Sequence, residues 1–359
     1  METVASWIGW SAWALATLCV LAFGAHAAAL LALRRKHASG YLERLRRTKR
    51  EARLGRSELP EVLVQLPVFN EAAVAERAIE AVAALDWPRD RLAIQVLDDS
   101  TDETRAIVDC AALRLRAEGV ELDVLRRATR DGFKAGALAA GLRASSAPFV
   151  AVFDADFVPP PSFLRDALAL FELDLRVGCV QGRWEHLNRE QNLLTRAQAV
   201  AVDAHFGVQQ LARSASAKLL NFNGTAGVWL RAAIDDAGGW SGATLTEDLD
   251  ISYRAQLRGW RIVFDPELVA PAELPPTLAA FKSQQRRWAC GSMQCARRFL
   301  GPVWRSALPL GAKLEASFHL CGYAVCVAMV ALTLFAHVPR PSSIPSSGSS
   351  GPQRRPAAR

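Results

Sequence analysis

The chain has 359 residues, of which 51% are hydrophobic, and a formal net charge of +7 at neutral pH. This length is ample for a large buried core. Ten Lys or Arg against two Glu lie between residues 34 and 56, so this block carries +8 and the rest of the chain carries −1. Because the basic charge is confined to one block, composition excludes a nucleic-acid-binding face spread over a domain.

A transmembrane helix is the first predicted element, at residues 1–33. The run from Trp7 to Leu33 contains no Lys, Arg, Asp or Glu, and it is long enough to cross a hydrocarbon core of about 30 Å. A cleaved signal peptide is the alternative, but the segment lacks a basic start and exceeds the length of a signal h-region. The basic juxtamembrane segment at 34–60 then places the following residues in the cytoplasm, where the seven cysteines are expected to be free thiols.

The region from 61 to 280 alternates short β-rich runs with helix-forming stretches. The β-rich runs are EVLVQLPVF, RLAIQVL, LDVLRR and FVAVF, and a loop and a helical pattern follow each of them. This alternation predicts an α/β domain with a doubly wound, mostly parallel sheet. In such sheets ligands bind beyond the carboxyl ends of the strands. Polar and acidic residues follow the runs at those ends: Asn70, Glu71, Asp98, Asp99, Asp154 and Asp156.

Two aspartates follow the fourth run, in the sequence FDADF. Asp154 and Asp156 converge on one point if the extended backbone continues through them, because residues i and i+2 of a strand point to the same side. Two such carboxylates suit a hard divalent cation, Mg2+ or Mn2+, with open positions for phosphate oxygens. The alternative is that one caps the next helix and the other is solvated. The chain has no P-loop and no dinucleotide-binding fingerprint that would explain a phosphate site otherwise.

A second acidic pair, Asp98-Asp99, comes directly after Leu97 and before Ser100. Its carboxylates are suited to hydrogen-bonding a nucleobase or a ribose. Capping of a helix that begins near Asp102 is the alternative, and it accounts for Ser100 but not for a double aspartate at the strand end.

A third acidic motif, Thr246-Glu247-Asp248, precedes a helical pattern that continues to Leu257. Acidic residues are favoured at a helix N-terminus, so capping is one interpretation. The other is that one carboxylate acts as a general base and takes a proton from an incoming hydroxyl.

Residues 281–315 are predicted to form interfacial amphipathic helices, and they contain the sequence QQRRW at 284–288. An arginine there can offset the charge of a departing diphosphate, and Trp288 offers a stacking platform for a sugar ring. The alternative is an interfacial helix with snorkelling arginines and an anchoring tryptophan. That alternative explains the basic residues but not the paired glutamines.

A second transmembrane helix is predicted at 316–338, where an apolar run contains no Lys, Arg, Asp or Glu. Basic residues precede it, so the middle of the chain is expected in the cytoplasm and both termini outside. The tail at 339–359 is expected to be disordered, because 13 of its 21 residues are Ser, Pro or Gly.

The motifs together resemble the family-two processive glycosyltransferases of the cellulose synthase superfamily. The resemblance rests on PVFNE, QVLDDSTD, GFKAGAL, FDADF, VQGRW, FNGTAG, TED and QQRRW, which occur in the order typical of that family. The longer strings, such as DGFKAGAL and FNGTAGVW, are most similar to the cellulose synthase-like branch that includes mannan and glucomannan synthases.

The resemblance implies a GT-A fold and the inverting transfer of a hexose to a growing β-linked polysaccharide. The donor would be a nucleotide-sugar: GDP-mannose, GDP-glucose or UDP-glucose. Asp248 would be the general base, and Trp288 and Glu247 would lie at the acceptor. Asp154 and Asp156 would bind the metal and the diphosphate. The residues expected at the donor are Glu71, Asp98, Asp99, Lys134, Asp154, Asp156, Gln284 and Arg287.

The region after QQRRW departs from the family pattern. Family members usually have several membrane helices there, which form a channel for the polymer, whereas one clear span is predicted here. We therefore expect an integral membrane protein with a cytoplasmic catalytic domain, in contact with lipid, that either lacks the channel or completes it with other chains. The alternatives are non-processive sugar transfer to a lipid or short glycan, and a truncated inactive membrane subunit.

Overall fold

A computed structural model describes residues 2–55 and 59–336 of the chain. Its strands are β1 (Val62–Val68), β2 (Leu92–Asp98), β3 (Leu122–Leu125), β4 (Phe149–Val152), β5 (Val177–His186), β6 (Gly227–Leu230) and β7 (Arg261–Ala272). Its α-helices are α1 (Glu2–Gly55), α2 (Ala75–Ala83), α3 (Thr104–Ala117), α4 (Phe133–Arg143), α5 (Phe163–Ala169), α6 (Leu193–Ala204), α7 (Leu211–Ala215), α8 (Arg231–Asp236), α9 (Glu247–Leu257), α10 (Leu278–Arg305), α11 (Leu310–Leu320) and α12 (Ala324–Phe335).

The seven strands form one sheet in the order β3-β2-β1-β4-β6-β5-β7. β1 pairs in parallel with β2 and β4, β2 pairs in parallel with β3, and β5 pairs in parallel with β7. β6 is antiparallel to both of its neighbours, β4 and β5. The prediction of a mostly parallel α/β sheet is therefore confirmed. Nearly every residue of β1 is buried, as expected for a parallel strand covered on both faces.

The antiparallel strand β6 holds the preceding loop in place through aromatic packing. Trp229 of β6 is fully buried and packs edge-on against Phe222 and Trp240. Phe222 begins the FNGT sequence at 222–225, so this aromatic cluster fixes the loop at the carboxyl end of the sheet, where the acidic motifs lie.

Helix α1 does not end at the predicted boundary between residues 33 and 34. It continues as one helix to Gly55, and its stretch from Trp7 to Ala52 is the one helix in the described residues that is long and apolar enough by itself to cross a membrane. The C-terminal half of α1 docks against β7, where Lys49 Nζ lies 2.8 Å from the buried carboxylate of Asp265. Part of the basic block is thus paired within the protein.

The second predicted membrane helix is not one continuous helix. The structure has α11 and α12 in its place, separated by a break at residues 321–323 that contains Gly322, a poor helix former. The two helices qualify as a membrane span only when they are taken together. Residues 26–322 form one compact unit, and the other described residues, 2–25 and 323–336, belong to a second. The predicted disordered tail at 339–359 lies outside the described residues.

Candidate active site

The loops that follow β1 and β2 are joined by hydrogen bonds. Asn70 has a positive φ of 54°, which lets its side chain turn back towards the second loop. Its backbone N–H donates to Ser100 Oγ at 3.0 Å, and its Oδ1 accepts from the Thr101 N–H at 2.9 Å. Glu71 follows directly. Burial raises the pKa of its carboxyl to about 7, and the nearby charge of Asp154 adds to this effect.

The two aspartates at the end of β2 have different surroundings. Asp98 is fully buried, and its carboxylate accepts from Arg126 Nε at 2.7 Å and from the Ser100 N–H at 3.0 Å. Asp99 accepts from both Nε and Nη2 of Arg127, one to each carboxylate oxygen. Asp98 thus serves to hold Arg126 and the loop, and its predicted contact with a nucleotide stays a prediction.

The arginines that follow β3 were not among the predicted site residues, although they lie at the acidic end of β2. Arg127 is bound to Asp99, and Arg130 lies 3.9 Å from the same carboxylate. The Arg130 guanidinium also lies over the Phe69 ring, 3.1 Å from its centroid, in a cation–π contact. The signal in the sequence is the run RRATR at 126–130, which places cations next to the acidic end of β2.

Asp154 and Asp156 lie in a turn, so the extended backbone, on which their convergence as residues i and i+2 of a strand was conditional, does not continue through them. β4 ends at Val152, and the Phe157 N–H donates to the Asp154 carbonyl at 3.0 Å, which closes the turn. The two carboxylates remain electrostatically coupled. Burial raises the pKa of Asp156 to about 7, and the charges of Asp154 and Glu71 contribute in the same direction.

Lys134 is the central cation of the site. It lies in the first turn of α4, and its Nζ donates to Asp154 Oδ1 and, at 2.9 Å, to the Gly224 carbonyl. Glu247 Oε1 lies 3.9 Å from the same Nζ. Burial by itself would lower the pKa of Lys134, but the carboxylates of Asp154 and Glu247 outweigh it and raise that pKa. This lysine therefore connects the two acidic motifs.

Asp248 lies in the first turn of α9, half-buried beside the FNGT loop. Its Oδ1 accepts from the Leu249 N–H at 2.8 Å. Burial raises its pKa to about 7, and the charge of Glu247 adds to this. Gly224 has a φ of +82°, and a Cβ at that position would lie 3.1 Å from Asp248 Oδ2. A carboxylate with this pKa is suited to accept a proton at neutral pH.

The residues of the QQRRW sequence lie on the first half of α10. The positive charge of Arg287 is close enough to Glu71 to lower that carboxyl's pKa in part. The Trp288 ring lies 6.5 Å from the Trp184 ring, centroid to centroid. Trp184 belongs to the VQGRW motif on β5, so the structure brings these two motifs together. Gln284 lies one turn before Trp288, on the same face of the helix.

A divalent cation at the acidic cluster would need ligands in addition to the protein's carboxylates. Among residues 2–55 and 59–336, no three His, Cys, Asp or Glu side chains are arranged to bind a metal by themselves. Glu71 and Asp156 nevertheless have raised pKa values, partly because the negative charges of Glu71, Asp154 and Asp156 repel one another. Added positive charge would relieve this repulsion. Two carboxylates and a diphosphate together provide the hard oxygen ligands that Mg2+ and Mn2+ prefer.

Fold and site together define the class of protein. A mostly parallel α/β sheet, with carboxylates from its strand ends and from a following helix placed around one lysine, is the arrangement of a GT-A glycosyltransferase domain. Residues 60–291 match the family described as glycosyltransferase like family 2, which is well over half of the chain. The chain therefore belongs to glycosyltransferase family 2.

Curated relatives specify the family further. The chain is 43% identical to glucomannan 4-beta-mannosyltransferase 2 of Arabidopsis thaliana over 257 residues, which are 70% of this chain and 48% of the relative. It is 42% identical to glucomannan 4-beta-mannosyltransferase 1 of Oryza sativa subsp. japonica, over 70% of this chain and 49% of that protein. The predicted resemblance to the cellulose synthase-like mannan branch is confirmed. The chain spans about half the length of these relatives.

Solved structures confirm the fold. A mannosyltransferase from Pyrobaculum calidifontis, solved in complex with GDP-Man and Mn2+, superimposes with a TM-score of 0.62 at 21% identity and covers 86% of this chain and 85% of that one. S. aureus TarS superimposes with a TM-score of 0.53 at 18% identity, over 74% of this chain and 44% of that one. At these identities the likeness concerns the fold alone.

The structure predicts that Asp98→Asn destabilises the protein. The neutral amide leaves the Arg126 guanidinium without its buried carboxylate, so we expect the free energy of unfolding to fall by about 2 kcal/mol. Asp109→Asn is the matched control, because Asp109 also pairs with Arg126, at 2.9 Å, but is exposed. That control is expected to change stability by less than about 0.5 kcal/mol. Denaturant unfolding in detergent measures both values, and equal effects would contradict the buried role of Asp98.

Proposed function

We propose that the chain is a membrane-anchored, inverting hexosyltransferase that transfers mannose from GDP-mannose to a growing β-(1→4)-linked mannan or glucomannan. The observation that carries the proposal is the half-buried Asp248, with a pKa raised to about 7, next to Lys134, which bridges Asp154 and Glu247. A proton acceptor and a diphosphate site are the two components that glycosyl transfer needs. The names of the curated relatives support mannose as the sugar.

The donor is bound at the acidic end of the sheet. Asp154 and Asp156 would hold the Mg2+ or Mn2+, which would neutralise the diphosphate. Lys134 and Arg287 supply positive charge of the protein itself to the same leaving group. Asp99, with Arg127, is proposed to contact the nucleoside.

The acceptor enters from the side of α10. Trp288 stacks on the terminal sugar and directs its hydroxyl towards Asp248. Asp248 takes the hydroxyl proton while the oxygen attacks the anomeric carbon on the face opposite the diphosphate, so the configuration at that carbon inverts. Glu247 flanks the base, and its charge helps to keep the Asp248 pKa high enough to accept the proton.

Membrane anchoring is proposed from α1, whose apolar half precedes a helical segment docked on the catalytic unit. This arrangement would keep the acidic end of the sheet on the cytoplasmic side, in contact with soluble donor. Pairing with other chains to complete a polymer channel stays a prediction.

Donor use tests the proposed function. Membranes that contain the protein are incubated with radiolabelled GDP-mannose, GDP-glucose or UDP-glucose, and the product is sized and digested with linkage-specific hydrolases. We expect incorporation from GDP-mannose into a product that an endo-β-(1→4)-mannanase degrades. A product with one added sugar would instead support non-processive transfer, and no incorporation from any of the three donors would contradict the proposal.

Asp248→Asn is expected to abolish transfer and to leave donor binding intact. The base is needed only when the acceptor hydroxyl attacks, so kcat should fall by about 10²–10⁴-fold. Donor affinity is measured by calorimetry on the purified protein, and transfer by sugar incorporation. An equal loss of donor affinity would show that Asp248 acts in binding and not as the base.

Asp154→Asn and Asp156→Asn are expected to weaken donor binding in a metal-dependent manner. Each change removes one charged contact, so the affinity for GDP-mannose in Mn2+ should fall on the order of tenfold. The same titration in EDTA is the control, and there the variants should resemble the wild type. Unchanged affinity in Mn2+ would refute the metal site.

A further inference from the structure

One face of α10 contacts the start of the helix that contains Asp248. Trp288, Gly291, Cys295 and Arg298 follow one another at spacings of three, four and three residues, so they lie in a stripe along one side of the helix. Trp288 is the proposed acceptor platform, and the remaining three residues contact the segment from Thr244 to Asp250.

The backbone of α10 lies very close to the Thr246 side chain at Gly291. A Cβ built at this position would lie 2.6 Å from Thr246 Oγ1 and 2.9 Å from Thr246 Cβ. Real Cβ atoms do not approach other heavy atoms so closely, so only glycine permits this distance between the α10 backbone and the residue before Glu247. Gly291 lies less than one turn after Trp288, so the contact connects the acceptor platform to the base motif over a few residues.

Polar contacts continue the same interface on both sides of Thr246. Gln294 Oε1 accepts from the Leu245 N–H at 2.8 Å. Arg298 Nη1 donates to Asp250 Oδ2 at 2.7 Å, and Asp250 is fully buried and also paired with Arg254. The residues before and after Glu247 and Asp248 are therefore both fixed to α10.

We propose that Gly291 and Arg298 are positioning residues that hold the base on α9 and the acceptor platform on α10 in one fixed register. The inference rests on the proposed function, because it requires Asp248 to be the base and Trp288 to orient the acceptor. A fixed register matters because the acceptor hydroxyl must reach the Asp248 carboxylate at hydrogen-bond distance. A displacement of about 1 Å between reacting groups can cost on the order of 10²-fold in rate.

Gly291→Ala tests the contact with the smallest possible change. We expect kcat for sugar transfer to fall by about 10–100-fold, while KM for the donor changes by less than about twofold. The ratio of donor hydrolysis to transfer should rise, since water does not depend on the Trp288 platform. Gly301→Ala is the matched control on the same helix: its Cβ would meet only the flexible Arg305 guanidinium, at 3.3 Å, and it should leave kcat unchanged.

Three further variants keep the test independent of a general folding defect. Thr246→Ala in the Gly291→Ala background removes Oγ1 and Cγ2, the two atoms nearest the new methyl, and leaves only Thr246 Cβ, at 2.9 Å. It should therefore restore part of the lost rate. Arg298→Gln leaves Asp250 paired with Arg254, so the protein should fold. Its kcat should fall by about fivefold with donor KM retained, and Arg298→Lys should recover most of it.

The outcomes separate this inference from the function on which it rests. Wild-type protein that transfers hexose, together with Gly291→Ala protein that transfers it as fast as Gly301→Ala, would overturn the positioning role alone. A loss that Thr246→Ala does not relieve, or one accompanied by equal loss of donor affinity, would also overturn it. Wild-type protein that binds donor but transfers no sugar to any acceptor would refute the proposed function, and the positioning role with it.

Discussion

The site depends on one electrostatic constraint: several carboxylates from separate elements converge on a single lysine. Lys134 donates to Asp154 and to the Gly224 carbonyl, and it lies near Glu247. Without this cation, the strand-end carboxylates and those of α9 would face one another in a buried space, which is costly for like charges. The position of α4, the turn after β4 and the loop before β6 can each be understood as ways to bring these groups to one ammonium.

The same constraint explains how one site can serve both binding and proton transfer. Glu71, Asp156 and Asp248 all have pKa values raised to about 7, with burial as the largest cause in each case. Two of them, Glu71 and Asp156, lie on the side where the proposed metal and diphosphate bind. Asp248 is on the helix that α10 contacts, on the acceptor side. Burial therefore raises the pKa both of the proposed base, Asp248, and of Glu71 and Asp156 at the proposed metal site, and Lys134 pairs with a carboxylate of each acidic motif.

Sequence reasoning found the acidic strand ends because a carboxylate directly after a buried apolar run is costly unless it meets a cation or a ligand. It did not show that Asp98 is fully buried and Asp99 only partly so, since the two are identical in type and the difference lies in which arginine each one meets. The continuity of α1 was missed because Arg and Lys have nearly the helix propensity of Leu, so a change from apolar to basic residues does not end a helix. Strands β5, β6 and β7 were not among the predicted β-rich runs. The direction of β6 is not readable from its sequence, because a short strand buried on both faces has the same pattern in both directions.

Ion pairs with buried carboxylates attach the C-terminal half of α1 and α11 to the rest of the unit formed by residues 26–322. Lys49 of α1 is paired with buried Asp265 of β7, and Glu315 of α11 is paired with Arg213 of α7 at 2.5 Å, both partners being buried. Buried ion pairs lose several kcal/mol when one partner is removed, so neither helix separates from the unit easily. Together with the contacts of α10 with α9, these ion pairs hold the C-terminal half of α1, α11 and the proposed base Asp248 within one compact unit.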